Sequence, residues 1–127
     1  MKANRLSISL FTLLILLFSA TTAFAQGNSK SKKALAQSSF PVSGLCGMCK
    51  YRIESALDVK GVRMADWNPE SGILTVSYNA QQVTDAQLHE FVAAVGHDTP
   101  KVKAKDEVYK TLPGCCRYRD GVEKHHD

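Results

Sequence analysis

A chain of 127 residues, 44% hydrophobic, 8% aromatic and 22% charged, has room for one small globular domain and excludes two packed ones. Its formal charge of +4 falls to +2 if the first 25 residues, which hold Lys2, Arg5 and no acid, are removed. That small excess is not gathered with aromatics into a patch, so nucleic acid is not an expected partner. The chain also carries no nucleophile elbow, no glycine-rich phosphate loop and no H-E-x-x-H, and so gives no support to hydrolase or nucleotide-binding readings.

The elements follow in chain order. Residues 1–25 run from Lys2 and Arg5 through an apolar stretch, Leu6 to Phe18, to the small-residue end Ala23-Phe24-Ala25. This reads as a secretory signal peptide, too short in its apolar part for a membrane span, and predicts a secreted or periplasmic protein with no span after cleavage. Residues 26–38 are polar, small and basic without period, and read as a flexible tether. A short strand is expected where Phe40, Val42 and Gly44 alternate with Pro41 and Ser43. From Cys46 the period changes: Cys49, Ile53, Ala56 and Leu57 share one face of a helix, opposite Lys50, Arg52, Glu54 and Asp58, until Gly61 ends it.

Val62 to Trp67 and Ile73 to Tyr78 read as two strands of a hairpin, joined by Asn68-Pro69-Glu70-Ser71-Gly72. Thr84 and Gln87 form a capping-box pattern ahead of the helical stripe Leu88, Phe91, Val92 and Val95, which Gly96 closes; His89 falls on the outer face by period. Lys101, Lys103 and Lys105 alternate with Val102 and Ala104, as in an edge strand. Strand, helix, strand, strand, helix, strand is the ferredoxin-like βαββαβ plan of the α+β class, an antiparallel four-stranded sheet with both helices on one face. It would occupy residues 39–105. Residues 106–127 form a C-terminal extension whose Tyr109, Leu112, Pro113 and Tyr118 suit docking on the domain, with His125-His126 at its very end.

Four cysteines lie in two tight clusters, Cys46/Cys49 and Cys115/Cys116. In an exported protein a disulfide framework is one reading, and it would have to join the two clusters. Cys46-Gly47-Met48-Cys49 meets the start of the first helix, where free backbone N–H groups and the dipole favour thiolate, the form that binds metal. Two soft sulfurs with no carboxylate beside them suit Cu(I) first, and Zn(II), Cd(II) or Hg(II) as other soft or borderline ions. Cys49 belongs to the apolar helix face, which leaves Cys46 as the outer thiol for capture and transfer. Met48 and Met64 are expected to serve packing rather than ligation.

The stretch Val42-Ser43-Gly44-Leu45-Cys46-Gly47-Met48-Cys49-Lys50-Tyr51-Arg52-Ile53-Glu54, with Gly61-Val62, Val76-Ser77-Tyr78 and Val95-Gly96-His97, resembles the heavy-metal-associated domain. That family comprises copper chaperones, N-terminal domains of copper-transporting ATPases and periplasmic mercury-binding proteins. Its G-M-x-C-x-x-C pattern matches at Cys46 and Cys49, followed by Ile53-Glu54 and Gly61-Val62. Here Gly44-Leu45-Cys46 is one residue shorter, so the family's methionine has no counterpart. The resemblance implies a metal site at Cys46 and Cys49 and a hand-off partner, either a metal transporter or an acceptor metalloprotein. It also places His97 beside the metal loop as a candidate further ligand, and allows two copies to share an ion as a metal-bridged dimer. Cys115 and Cys116 lie outside the family pattern and are candidate extra ligands or a redox latch to Cys46 or Cys49.

Two functions compete. One is a non-enzymatic binding protein that sequesters or passes on a soft metal by thiolate exchange. The other is a thiol–disulfide oxidoreductase, because Cys46-Gly47-Met48-Cys49-Lys50 also looks like a thioredoxin-type C-G-x-C-K, with Thr99-Pro100 as that family's proline. Thioredoxin-like folds place a strand, a helix and a strand before the motif, and this chain has no room for them.

Overall fold

In the computed structural model, residues 35–121 are described; the expected signal peptide, the expected tether up to residue 34 and His125-His126 lie outside the described residues. The elements are β1 (Ala36–Pro41), α1 (Gly47–Ala56), β2 (Val62–Trp67), β3 (Ile73–Tyr78), α2 (Asp85–Ala94) and a single turn α3 (Asp106–Tyr109), followed by two 3-10 turns, Gly114–Cys116 and Tyr118–Asp120. The three strands form an antiparallel sheet of order β1-β3-β2. The register places Phe40 and Trp67 on either side of Leu74, and the period of two carries Val76 and Tyr78 to the same face. Against that face lie Cys49 and Ile53 of α1 and Leu88 and Val92 of α2, all fully buried in one core.

Local chemistry fixes the joints. In the β2–β3 turn the Asn68 carboxamide accepts from the N–H groups of Glu70 and Ser71, and Gly72 takes the positive φ of +72° that closes it. The capping box at Thr84 forms in both directions, Gln87 N–H to Thr84 Oγ1 and Thr84 N–H to Gln87 Oε1. Glu54 ties α1 to the sheet: its Oε1 accepts from Trp67 N–H at 2.9 Å and from Lys50 Nζ at 2.6 Å.

The structure departs from the sequence expectations at four places. β1 begins at Ala36, so the end of the expected tether is a strand paired with β3, and the strand stops at Pro41 rather than continuing to Gly44. A fourth strand at 101–105 does not form among the described residues. There the backbone groups that a ladder would use are taken locally: Thr99 and Val102 close a turn, Ala104 N–H donates to the Asp98 carboxylate, and Ala104 O accepts from Arg119. His89 is buried rather than on the outer face, because the Phe40 ring stacks on it at 3.8 Å. Finally, residue 105 is no boundary in packing, since Tyr109, Leu112 and Cys116 enter the same core as the helices and sheet.

The docked C-terminal segment follows from small and aromatic residues meeting. Gly96, at a φ of +100°, lies so close to Leu112 that a Cβ would sit 3.0 Å from its side chain. Tyr118 Oη donates to Gly96 O and accepts from Asp98 N–H, with its hydroxyl pKa pushed up to about 12 by burial and by the Asp98 charge, so it stays protonated. Among the described residues no helix is long and apolar enough to cross a membrane.

Candidate metal centre

The loop from Val42 to Cys46 rests on the single tryptophan. Trp67 is fully buried, and its indole N–H is shared between the carbonyls of Val42 and Gly72 at 3.2 and 3.1 Å. Its ring passes so near Gly44 that a Cβ there would stand 2.9 Å from the ring and 3.2 Å from the Cys49 Cβ. A side chain at position 44 would therefore push either the tryptophan or the second cysteine out of place. Leu45, buried, fills the place before Cys46.

Cys46 is the N-cap of α1 in an extended conformation, and Lys50 N–H closes the first helical bond on its carbonyl. No acidic residue occupies the first turn, so the positive helix end is free to act on the thiols. Leu45 N–H points at Cys49 Sγ at 3.4 Å. Burial alone would raise the Cys46 thiol, yet the backbone N–H groups of Cys49 and Met48 outweigh it and hold the pKa below the ordinary value. For Cys49 burial wins and the pKa rises. Cys116 is raised by burial and by its thiol neighbours, Cys49 first and then Cys46 and Cys115.

Sγ of Cys46, Cys49 and Cys116 lie within 4.8 Å of one another, with Cys46 and Cys49 3.8 Å apart. Three sulfurs at about 2.3 Å from a central ion in a plane stand about 4 Å from each other, so one ion fits this group with little movement. Cys49 and Cys116 have no exposure and Cys46 only 6%, so the expected outward-facing Cys46 is covered by the C-terminal segment. All four cysteines are free thiols.

The other sequence candidates fall at different distances from this centre. Cys115 lies outside the mutually close group; its half-buried thiol is 3.9 Å from Cys116 Sγ and 3.6 Å from Met48 Sδ. Met48 is therefore not a core residue but 54% exposed beside a thiol, and Met64 is likewise at the surface. His97 is fully buried, donates from Nδ1 to Ser43 O at 2.7 Å, and is not brought into the sulfur group; its Nε2 has no partner among the described residues. Burial lowers its pKa, so the ring is a neutral brace on the metal loop.

Two supports escape sequence reading. Trp67 under the loop was signalled only by a lone tryptophan and a small Gly44. The clamp of Arg119 on Asp98 and Asp106, with the guanidinium 4.4 Å from the Tyr109 ring centre, has no sequence signature at all.

No family model matches the chain. The copper chaperone CopZ of Staphylococcus aureus (strain Newman) is 36% identical over 66 residues, 50% of this chain and 97% of the chaperone. A zinc-transporting ATPase of Synechocystis sp. is 37% identical over 60 residues, 46% of this chain but 8% of the ATPase. Among solved structures, the N-terminal domain of a potential copper-translocating P-type ATPase from Bacillus subtilis, in the Cu(I)-loaded state, is 28% identical. It superposes with a TM-score of 0.50 over 58% of this chain and 95% of that one.

Proposed function

The chain belongs to the heavy-metal-associated domain family, and from that premise we propose that it is an exported, non-enzymatic binding protein for a soft metal ion, Cu(I) before Zn(II). The ion is held by the thiolates of Cys46, Cys49 and Cys116 and handed on by ligand exchange to a metal transporter or an acceptor metalloprotein. The observation that carries this reading is the buried group of three sulfurs within 4.8 Å. Three soft donors without a carboxylate or a fourth thiol in the group suit the low coordination numbers of Cu(I), whereas structural Zn(II) takes four ligands in a tetrahedron. Export rests on the composition of residues 1–25. The third sulfur separates this chain from a two-cysteine shuttle and favours retention of the ion. It also leaves less need for a second copy to complete the coordination.

The oxidoreductase reading is the weaker one on a specific point: an exchange enzyme offers its attacking thiolate to a substrate disulfide, and here Cys46 is 6% exposed and Cys49 not at all. The test is titration of the reduced protein with Cu(I) and with Zn(II) against competing chelators, in parallel with Cys46→Ser and Cys116→Ser. Tight one-to-one Cu(I) binding that is lost in Cys46→Ser and weakened at least tenfold in Cys116→Ser is expected. Wild-type binding no tighter than that of Cys46→Ser would overturn the reading.

A further inference from the structure

The inner thiols raise a problem of access. Exchange of a metal between proteins requires the incoming donor atom to touch the ion before the outgoing ones release it, and none of the three inner sulfurs stands open. Two further sulfurs lie above them. Cys115 Sγ is 3.9 Å from the inner Cys116 Sγ, and Met48 Sδ, on a residue 54% exposed, is 3.6 Å from Cys115 Sγ. Met48 comes from the first turn of α1 and Cys115 from the 3-10 turn that also carries Cys116, so the pair bridges the two segments that cover the centre. Two sulfurs that share one ion at about 2.3 Å each stand at most about 4.6 Å apart, and both gaps fall within that reach.

We propose that Cys115 and Met48 form an outer soft-metal site, the port through which Cu(I) enters and leaves the buried thiolates. The proposal rests on the reading of Cys46, Cys49 and Cys116 as the inner site. On entry the ion, still attached to its donor, gains the Met48 thioether and the Cys115 sulfur, whose proton passes to water as the metal–sulfur bond forms. Cys116 then bonds the ion and loses its proton to water, the bonds to the donor and to Met48 break as the donor's ligand takes up a proton from water, and Cys46 and Cys49 give up the protons they carry to water and complete the set as Cys115 lets go and takes a proton back. Copper stays Cu(I) throughout and no electron is transferred. Release is the reverse. A neutral thioether is a ligand for soft ions and is absent from the thiolate, imidazole and carboxylate set of Zn(II), so the port also filters which ion reaches the interior.

The experiment is stopped-flow transfer of Cu(I) from the loaded, reduced protein to excess bathocuproine disulfonate, for wild type, Met48→Leu, Cys115→Ser and Cys116→Ser. Release at least tenfold slower than wild type is expected in Met48→Leu and in Cys115→Ser, whereas Cys116→Ser holds the ion less tightly at equilibrium, because loss of a port ligand obstructs the route while loss of an inner ligand weakens the hold. Unchanged or faster release in Met48→Leu and Cys115→Ser overturns the outer site and leaves the inner one standing. Failure of the wild type itself to load Cu(I) overturns both.

Discussion

Arg119 grips Asp98 with two prongs, Nε to Oδ2 at 3.0 Å and Nη2 to Oδ1 at 2.6 Å, and so fastens the 3-10 turn Tyr118–Asp120 to the loop that follows α2. Both side chains are only about one-fifth exposed, and the same guanidinium also holds Asp106 and the Ala104 carbonyl. Cys116 sits two residues before the neighbouring Tyr118, so the position of the third thiol depends on a contact made by charge rather than by sulfur.

Arg119→Ala should therefore cost about 2 kcal/mol in stability, the range for charge-assisted hydrogen bonds that are partly shielded from water. It should also lower Cu(I) affinity toward that of Cys116→Ser although no ligand is changed. Chelator competition on both variants checks this; wild-type affinity in Arg119→Ala would show that the apolar contacts of Leu112 and Tyr109 hold the segment unaided.

Gly44→Ala places a methyl group against Trp67 and Cys49. An expected loss of about 1–3 kcal/mol follows from overpacking a filled site, read from urea unfolding. Because Trp67 is the sole tryptophan, its fluorescence in the folded variant should shift as well, and an unmoved spectrum with wild-type stability would contradict the close approach.

Stability should fall in two steps on acidification. Burial against the Phe40 ring lowers the pKa of His89, and burial likewise lowers that of His97, so the folded state prefers both rings neutral. Their contribution is complete above the ordinary histidine value of 6.5 and is lost as pH falls from there through the lowered folded values. For Asp98, burial opposes ionisation but the Arg119 guanidinium outweighs it and the pKa ends below 3.8, so its stabilisation is lost only as pH drops beneath that value. Urea midpoints of the metal-free protein across pH should show both steps, and His89→Gln should shrink the first while sparing the second.

Glu54→Ala removes the acceptor shared by Trp67 N–H and Lys50 Nζ and leaves a strand-end donor short of a partner. A loss of about 1–3 kcal/mol is expected from chemical unfolding, with Glu54→Gln recovering part of it because the carboxamide oxygen still accepts from Trp67.

The parts of this molecule that obey local periodicity were readable in advance. The hairpin strands Val62–Trp67 and Ile73–Tyr78 follow from alternation and turn residues, the start of α2 from the capping box at Thr84, and the helix that starts after Cys46 from the helical spacing of Cys49, Ile53, Ala56 and Leu57. What escaped was decided by contacts far apart in the chain. Lys101 to Lys105 alternate correctly for a strand, but Asp98 and Arg119 take the backbone groups that pairing would need. His89 has the period of a surface residue and is buried because Phe40 of β1 lies over it. The same holds at the centre: C-x-x-C at a helix start announces metal chemistry, whereas the choice of Cys116 over Cys115 as the inward thiol depends on how a 3-10 turn seats against α1.

An ion bound by Cys46 and Cys116 would do more than occupy a site, because it would link two positions seventy residues apart in sequence. A cross-link closing a loop of about that length removes enough freedom from the unfolded chain to be worth roughly 4 kcal/mol on the chain-entropy estimate used for disulfides. Cargo and staple are then the same object. The folded lifetime of the molecule becomes a gauge of its load, and a copy that has surrendered its ion is left the more open to proteolysis of the two.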